Sequence, residues 1–217
     1  LGYAGQISLG HAAFYAIGAY SSGVLTARAG WNPLAALGAG LVLSAVVAVV
    51  IGLPSLRLRG HYLAMATLAF GEVVRVVLDA WVPVTGGPEG INRIPKMTLG
   101  GFALDPWARG GELSAYYLVW GIVFLVLTGA LCLVHSRVGR ALRSIHEGEE
   151  AATVLGVHTA SYKVQVFVLS ALCASLAGSL YTHYVLSLGP SPFGVKTSIE
   201  LVVMVVVGGM RTVWGAV

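Results

Sequence analysis

Three ionisable side chains, Glu72, Arg75 and Asp79, interrupt an otherwise apolar stretch from residue 62 to residue 83. On a helix, steps of three and four put all three on one face, where a carboxylate can neutralise a guanidinium one turn away. Holding an ionisable group at membrane depth is costly, and such a group by default marks a solute pathway or a proton relay. The alternative is an internal Glu72 to Arg75 pair that ties this helix to a neighbour, with Asp79 near the outer interface. Both readings are open here, and the first requires Glu72 to face the interior of a bundle.

Two further sets are polar without being charged. Gln6, Ser8 and His11 lie in a segment rich in glycine. A helix broken there would leave backbone amides and carbonyls lining a cavity; the competing reading is helix packing through small residues. Thr85, Gly86, Gly87, Pro88 and Gly90 form a second glycine cluster. They could expose backbone to a solute or to a docked protein, or simply make a tight turn at a helix end.

None of this amounts to an enzyme. No nucleophile and base pair stands out, the histidines, His183 among them, lack H-x-x-x-H or carboxylate spacing, and there is no G-x-x-x-x-G-K-[ST] loop to cradle a nucleotide phosphate. Cys132 and Cys173 sit in apolar runs without a C-x-x-C partner and are expected to be buried and inert. Neither a cofactor nor a metal is expected.

The elements that must carry these residues are helices in lipid. Of the 217 residues, 57% are hydrophobic and only 10% charged, against roughly 25% charged in an ordinary soluble domain. The mean hydropathy is +0.82, and 29 glycines favour close helix approach in a membrane over stability in water. Residues 34–53 and 115–134 each supply a run long enough, at about 1.5 Å per residue, for a hydrocarbon layer of roughly 30 Å. The run from Val164 to Val195 carries no formal charge and is read as one span plus an extended tail ending near Pro190 and Pro192. Residues 1–27, 62–83 and 197–217 complete a reading of about six spans in an all-α polytopic transmembrane bundle.

A formal charge of +4 does not point to nucleic acid, because the basic residues lie between the apolar runs and instead set orientation. Arg57, Arg59, Arg137, Arg140, Arg143 and Lys163 fall in two loops that alternation puts on one side, read as cytoplasmic. The 84–114 stretch then lies outside as an ordered cap, and Trp31, Trp81, Tyr116 and Tyr117 serve as interface anchors. Within the 137–163 loop, EEAATVLG reads as a short helix. Glu149 and Glu150 suit the positive end of its dipole, Ala151 and Ala152 leave a low surface, and Gly156 can take the left-handed conformation that ends it. A short capped helix of this kind suits docking into another protein's groove.

Glu150, Ala151, Ala152 and, beyond Thr153, Val154 and Leu155, Gly156 resemble the cytoplasmic coupling loop of ABC importer permeases, E-A-A followed after three residues by Gly. The I-x-L-P element that continues that pattern is not matched by Val166, Phe167, Val168 and Leu169. The wider chain resembles the branched-chain amino acid permeases and their urea and amide relatives. The resemblance runs in order through GYAGQISLGHAAFYAIGAY (2–20), LRLRGHYLAMATLAFGEVVR (56–75), TGGPEGI (85–91), SRVGRALRSIHEGEEAATVLGV (136–157) and SIELVVMVVVGGMRTVWG (198–215).

That resemblance implies one permease domain in the inner membrane of a bacterium or archaeon, partnered by a second permease subunit. It further implies two cytoplasmic ATP-binding subunits docked on Glu150, Ala151, Ala152 and Gly156, an extracytoplasmic solute-binding protein and surrounding lipid. Glu72, Arg75, Gln6, Ser8, Thr85 and Gly86 are the candidates for the translocation path. Because the chain opens on Leu1 and stops within an apolar stretch, it is expected to be an interior piece of a longer permease. An ion-coupled secondary transporter or channel is the rival reading, in which the charged span residues would bind a coupling ion.

Overall fold

The computed structural model describes residues 5, 8–56, 58, 60–99, 102–103 and 111–209. The helices are α1 (His11–Ala27), α2 (Pro33–Ser55), α3 (His61–Ala80), α4 (Val82–Thr85), α5 (Gly111–His135), α6 (Arg137–Glu147), α7 (Glu149–Val154), α8 (Thr159–Val185) and α9 (Val195–Gly208). Four two-residue strands accompany them: β1 (Ile91–Asn92), β2 (Thr98–Leu99), β3 (Phe102–Ala103) and β4 (Ser187–Leu188).

Chain direction alternates through α1, α2, α3, α5, α8 and α9. Gly5, just before α1, lies against His146 of α6, and Gly52 near the end of α2 lies against Phe167 in the first half of α8. At the other end, Gly23 of α1 meets Leu188 and Ile94, and β1 pairs antiparallel with β4 through Ile91↔Leu188 and Asn92↔Ser187. One end therefore carries α6 and α7. The opposite end carries the 82–99 segment stitched to the tail after α8, and it also bears the exposed rings of Trp31, Trp81, Tyr116 and Tyr117. An aromatic belt at one end is what amphipathic rings produce at a headgroup layer.

Helix α1 is the centre of the bundle, buried on nearly every side by α8, α2 and α3. Its sequence, HAAFYAIGAYSSGVLTA, is rich in small residues because backbones must meet there. A methyl group added at Gly18 would stand 2.1 Å from the Ser175 carbonyl oxygen, and one added at Gly178 would stand 1.9 Å from the Tyr15 carbonyl oxygen. On α2 the buried residues Ala36, Gly40, Ser44, Ala48 and Gly52 recur every fourth position, giving a smooth seam toward α1 and α8. The large residues of α2, Val42, Leu43, Val46, Val49, Val50 and Leu53, are exposed, as a lipid-facing surface demands.

Aromatic rings pack against two sides of α1. Phe14 meets Phe167 edge to face at 5.6 Å, while Phe193 packs on Tyr15 at 5.3 Å and on Tyr20 at 5.7 Å. Helix α5 is held more loosely, through Ala115, Leu118 and Ile122 beside Met97 and Leu180.

Three described helices are long and apolar enough to cross a membrane: Pro33–Ser55, Leu113–His135 and Thr159–Val185. The expected six spans are not all met by that standard. Helix α1 has 17 residues, α3 carries Glu72, Arg75 and Asp79 among its 20, and α9 is described for 14. Helix α8 starts at Thr159, earlier than the apolar run at Val164. A correction concerns the thiols: Cys132 and Cys173 are exposed rather than buried, each on the outer flank of its helix.

The Gly178 contact predicts that Gly178→Ala lowers the stability of the detergent-solubilised protein by about 1–3 kcal/mol, the usual range for overpacking. Gly121→Ala, where a methyl would meet nothing within 4 Å, should leave the thermal unfolding midpoint unchanged.

Candidate functional site

The tip formed by α6 and α7 is built from local rules. Ser136 caps α6, its hydroxyl oxygen accepting from the Val138 amide at 3.1 Å and the Gly139 amide at 3.5 Å. Leu142 and Ile145 turn inward, so an arginine-rich segment still lies flat against the bundle. Helix α7 opens on Glu149 and Glu150, which face the positive end of its dipole. It closes by the Gly156 amide donating to the Thr153 carbonyl and the Val157 amide to the Ala152 carbonyl, both at 3.0 Å. Gly156 has φ +83°, and that pair of bonds around a left-handed glycine is the Schellman ending, which satisfies the Ala152 and Thr153 carbonyls.

Within this tip, Ala152 is buried against the bundle, whereas Glu150, Ala151 and Gly156 are exposed. Between them stand Val154 and Leu155, 87% and 80% exposed. These two apolar side chains were passed over in the sequence because neither is unusual in type; only the short helix and its glycine stop turn them outward. Lys163, counted in the sequence merely as loop charge, has its ammonium 2.6 Å from the Glu149 carboxylate. Its side chain is buried in the second turn of α8, so this ion pair fastens α7 to a membrane-length helix.

Toward the opposite half, the Arg75 guanidinium bridges two carboxylates. Nε donates to Glu72 Oε1 at 2.9 Å, and Nη1 donates to Asp79 Oδ2 at 3.1 Å. The three side chains are about one third exposed, 38%, 35% and 33% in chain order, and they lie on the flank of α3 rather than on its packed side, which carries Leu63, Thr67 and Leu78. The pairing within one helix is thus present, and the stripe it forms stays open to whatever borders it.

Gln6 lies outside the described residues. Ser8 is buried, its hydroxyl oxygen accepting from the Gly10 amide at 3.4 Å. The Leu9 amide donates to Thr67 Oγ1 at 3.0 Å, which fixes the non-helical residues before α1 against α3. His11 Nε2 lies 3.1 Å from Ser170 Oγ. Thr85 is buried with its hydroxyl 2.6 Å from the Leu78 carbonyl and 2.9 Å from that of Trp81, and it accepts from the Gly87 amide at 3.2 Å. A methyl at Gly86, where φ is +80°, would stand 2.0 Å from the Gly90 carbonyl oxygen. Thr85 and Gly86 together make a tight turn.

A buried link reaches across the same end. His183 Nδ1 donates to the Pro95 carbonyl at 2.8 Å, which leaves Nε2 to accept from the Ser22 hydroxyl at 2.9 Å. No group of three or more histidine, cysteine or acidic residues is placed to hold a metal among the described residues.

The whole chain, residues 1–217, matches the model of the family described as branched-chain amino acid transport system / permease component. It is 35% identical, across 97% of its own length and 54% of the relative's, to the high-affinity branched-chain amino acid transport system permease protein LivM of Escherichia coli. It is 36% identical over the same shares to the LivM protein of Salmonella typhimurium, so the chain spans about half the length of these curated relatives. The ribose import permease protein RbsC of Escherichia coli is 29% identical over 85% of this chain and 55% of its own. No solved structure matches the chain.

The Lys163 ion pair predicts that Lys163→Met frees α7. Amide hydrogen exchange over residues 149–154 should then accelerate about tenfold, the equivalent of about 1.4 kcal/mol, while exchange in the middle of α8 stays as it is.

Proposed function

This chain belongs to the branched-chain amino acid transport system permease family, and on that premise we propose that it is part of the membrane-spanning subunit of an ATP-driven importer. Its solute is a branched-chain amino acid or a closely related small molecule, as the LivM relatives' names suggest. It spans the plasma membrane of a bacterium or archaeon several times, catalyses no reaction, and moves solute when partner subunits hydrolyse ATP. Nothing in the family match supports the ion-coupled alternative.

The observation that carries this reading is the outward display of Val154 and Leu155 beside Glu150, Ala151 and Gly156 at the α7 tip. Two exposed apolar side chains on a short rigid helix, outside the spans and next to basic residues, form a protein-docking knob rather than a lipid anchor. Two ATP-binding subunits would take this knob and its counterpart on a second permease subunit. The 137–163 segment is then cytoplasmic and the 84–114 segment faces the solute-binding protein. Nearer that side, Glu72 and Arg75 border the path and Thr85 and Gly86 shape the backbone around it, while Ser8, with Gln6 close by in the sequence, belongs to the end that carries α6 and α7.

The assembled complex in proteoliposomes tests the docking reading. Gly156→Val forces a branched side chain into a left-handed position, so ATP hydrolysis should persist while leucine uptake falls by at least about tenfold. Equal uptake by variant and parent, or uptake without the ATP-binding subunits, would sink the reading. Glu72→Gln checks the path: uptake is expected to drop at normal expression, and unchanged uptake removes Glu72 from the mechanism.

A further inference from the structure

The exposed flanks of the bundle differ in one respect. On α2 the outward residues are apolar throughout. On α9 the outward face begins with an ion pair, Lys196 Nζ lying 3.8 Å from Glu200 Oε1, with side chains 90% and 52% exposed. The packed side of α9 is set by Ser198, which is buried, with Val202 and Val205 half-buried one and two turns on. At 100° per residue, positions 196, 200, 203 and 207 lie opposite that side. The ion pair therefore points away from every described helix.

A pair so placed is costly against hydrocarbon. Lys196 stands at the start of the helix and can snorkel to a headgroup layer, but Glu200 is one turn deeper, about 6 Å along the axis, on a shorter side chain. The charges of α3 border the same region: a methyl at Gly194, the residue before α9, would meet Arg75 Cδ at 3.6 Å. Two neighbouring helices thus turn unburied charge toward the same half of the bundle, and beyond Glu200 the α9 face continues as Val203 and Val207, 52% and 82% exposed.

We infer that the outward face of α9, from Lys196 and Glu200 through Val203 and Val207, lines the aqueous route of a zwitterionic solute with an apolar side chain. The ammonium of Lys196 meets the solute's carboxylate and the carboxylate of Glu200 meets its ammonium, while the valines offer an apolar wall one and two turns deeper. This rests on the permease reading above.

The test uses the assembled transporter in proteoliposomes, with Cys132 and Cys173 replaced by alanine because both native thiols are exposed. Single cysteines are placed at Val203 and Val207 and, as controls, at Val46 and Val50 of α2, which are 55% and 61% exposed in the isolated fold. A charged, membrane-impermeant methanethiosulfonate should modify the α9 cysteines at least about tenfold faster than the α2 cysteines, and leucine should slow it. Rates equal to the α2 controls would mean that lipid or a neighbouring subunit covers this face, and would overturn the inference. So would labelling that leucine leaves unchanged. Uptake by the cysteine-free transporter is scored separately, so a failed permease reading appears as absent ATP-driven uptake with labelling intact.

Discussion

The close approach of α1 and α8 governs the rest of the fold. In lipid no hydrophobic effect drives two apolar helices together, so van der Waals contact and interhelical hydrogen bonds must do it. Gly18 and Gly178 let the two backbones touch, and at that distance a side-chain hydroxyl reaches across: Thr182 Oγ1 donates to the Ala19 carbonyl at 3.1 Å, while on the neighbouring flank of α8 Ser175 Oγ donates to the Gly40 carbonyl of α2 at 3.3 Å. Once these helices are paired, α2 can lie against both through its seam of small side chains at every fourth position. The fixed ends of the pair then dictate where α3 and α9 sit.

The interior around this pairing also holds polar side chains. Ser22, Thr26, Thr182 and His183 are buried in helices that are otherwise apolar. Each is given a carbonyl, a hydroxyl or a ring nitrogen as partner, which offsets the cost of removing it from water. His183 spans three parts of the chain at once, since Pro95 belongs to the segment after α3 and Ser22 to α1.

Apolar length was the most readable quantity in the sequence. The run at 34–53 is seen as Pro33–Ser55 and the run at 115–134 as Gly111–His135. The short helix ending at Gly156 was equally legible, because its acidic start and glycine stop are local signals. What escaped depended on contacts distant in the chain. Helix α8 begins at Thr159, before its apolar run, and its Lys163 is neutralised by Glu149, a partner no window around residue 163 identifies. The β1 and β4 pairing joins residues on either side of α5, α6 and α8, so the 84–114 segment could be read as a cap but not as one laced to residues 187–188. Cys132 and Cys173 were misjudged because apolar surroundings in the sequence mean burial in water and exposure in lipid.

The ion pair between Glu149 and Lys163 sits at one end of α8 and the hydrogen bonds of His183 sit twenty positions further on, about 30 Å away. Nothing between them softens the rod: α8 contains no proline, and its glycine, Gly178, is clamped against α1. A tilt imposed on the α7 knob therefore has no joint in which to dissipate. Contacts of Phe167 with Phe14, Ser170 with His11 and His183 with Ser22 hold α8 to α1 over most of that length, so the two helices share any displacement instead of pivoting at one crossing.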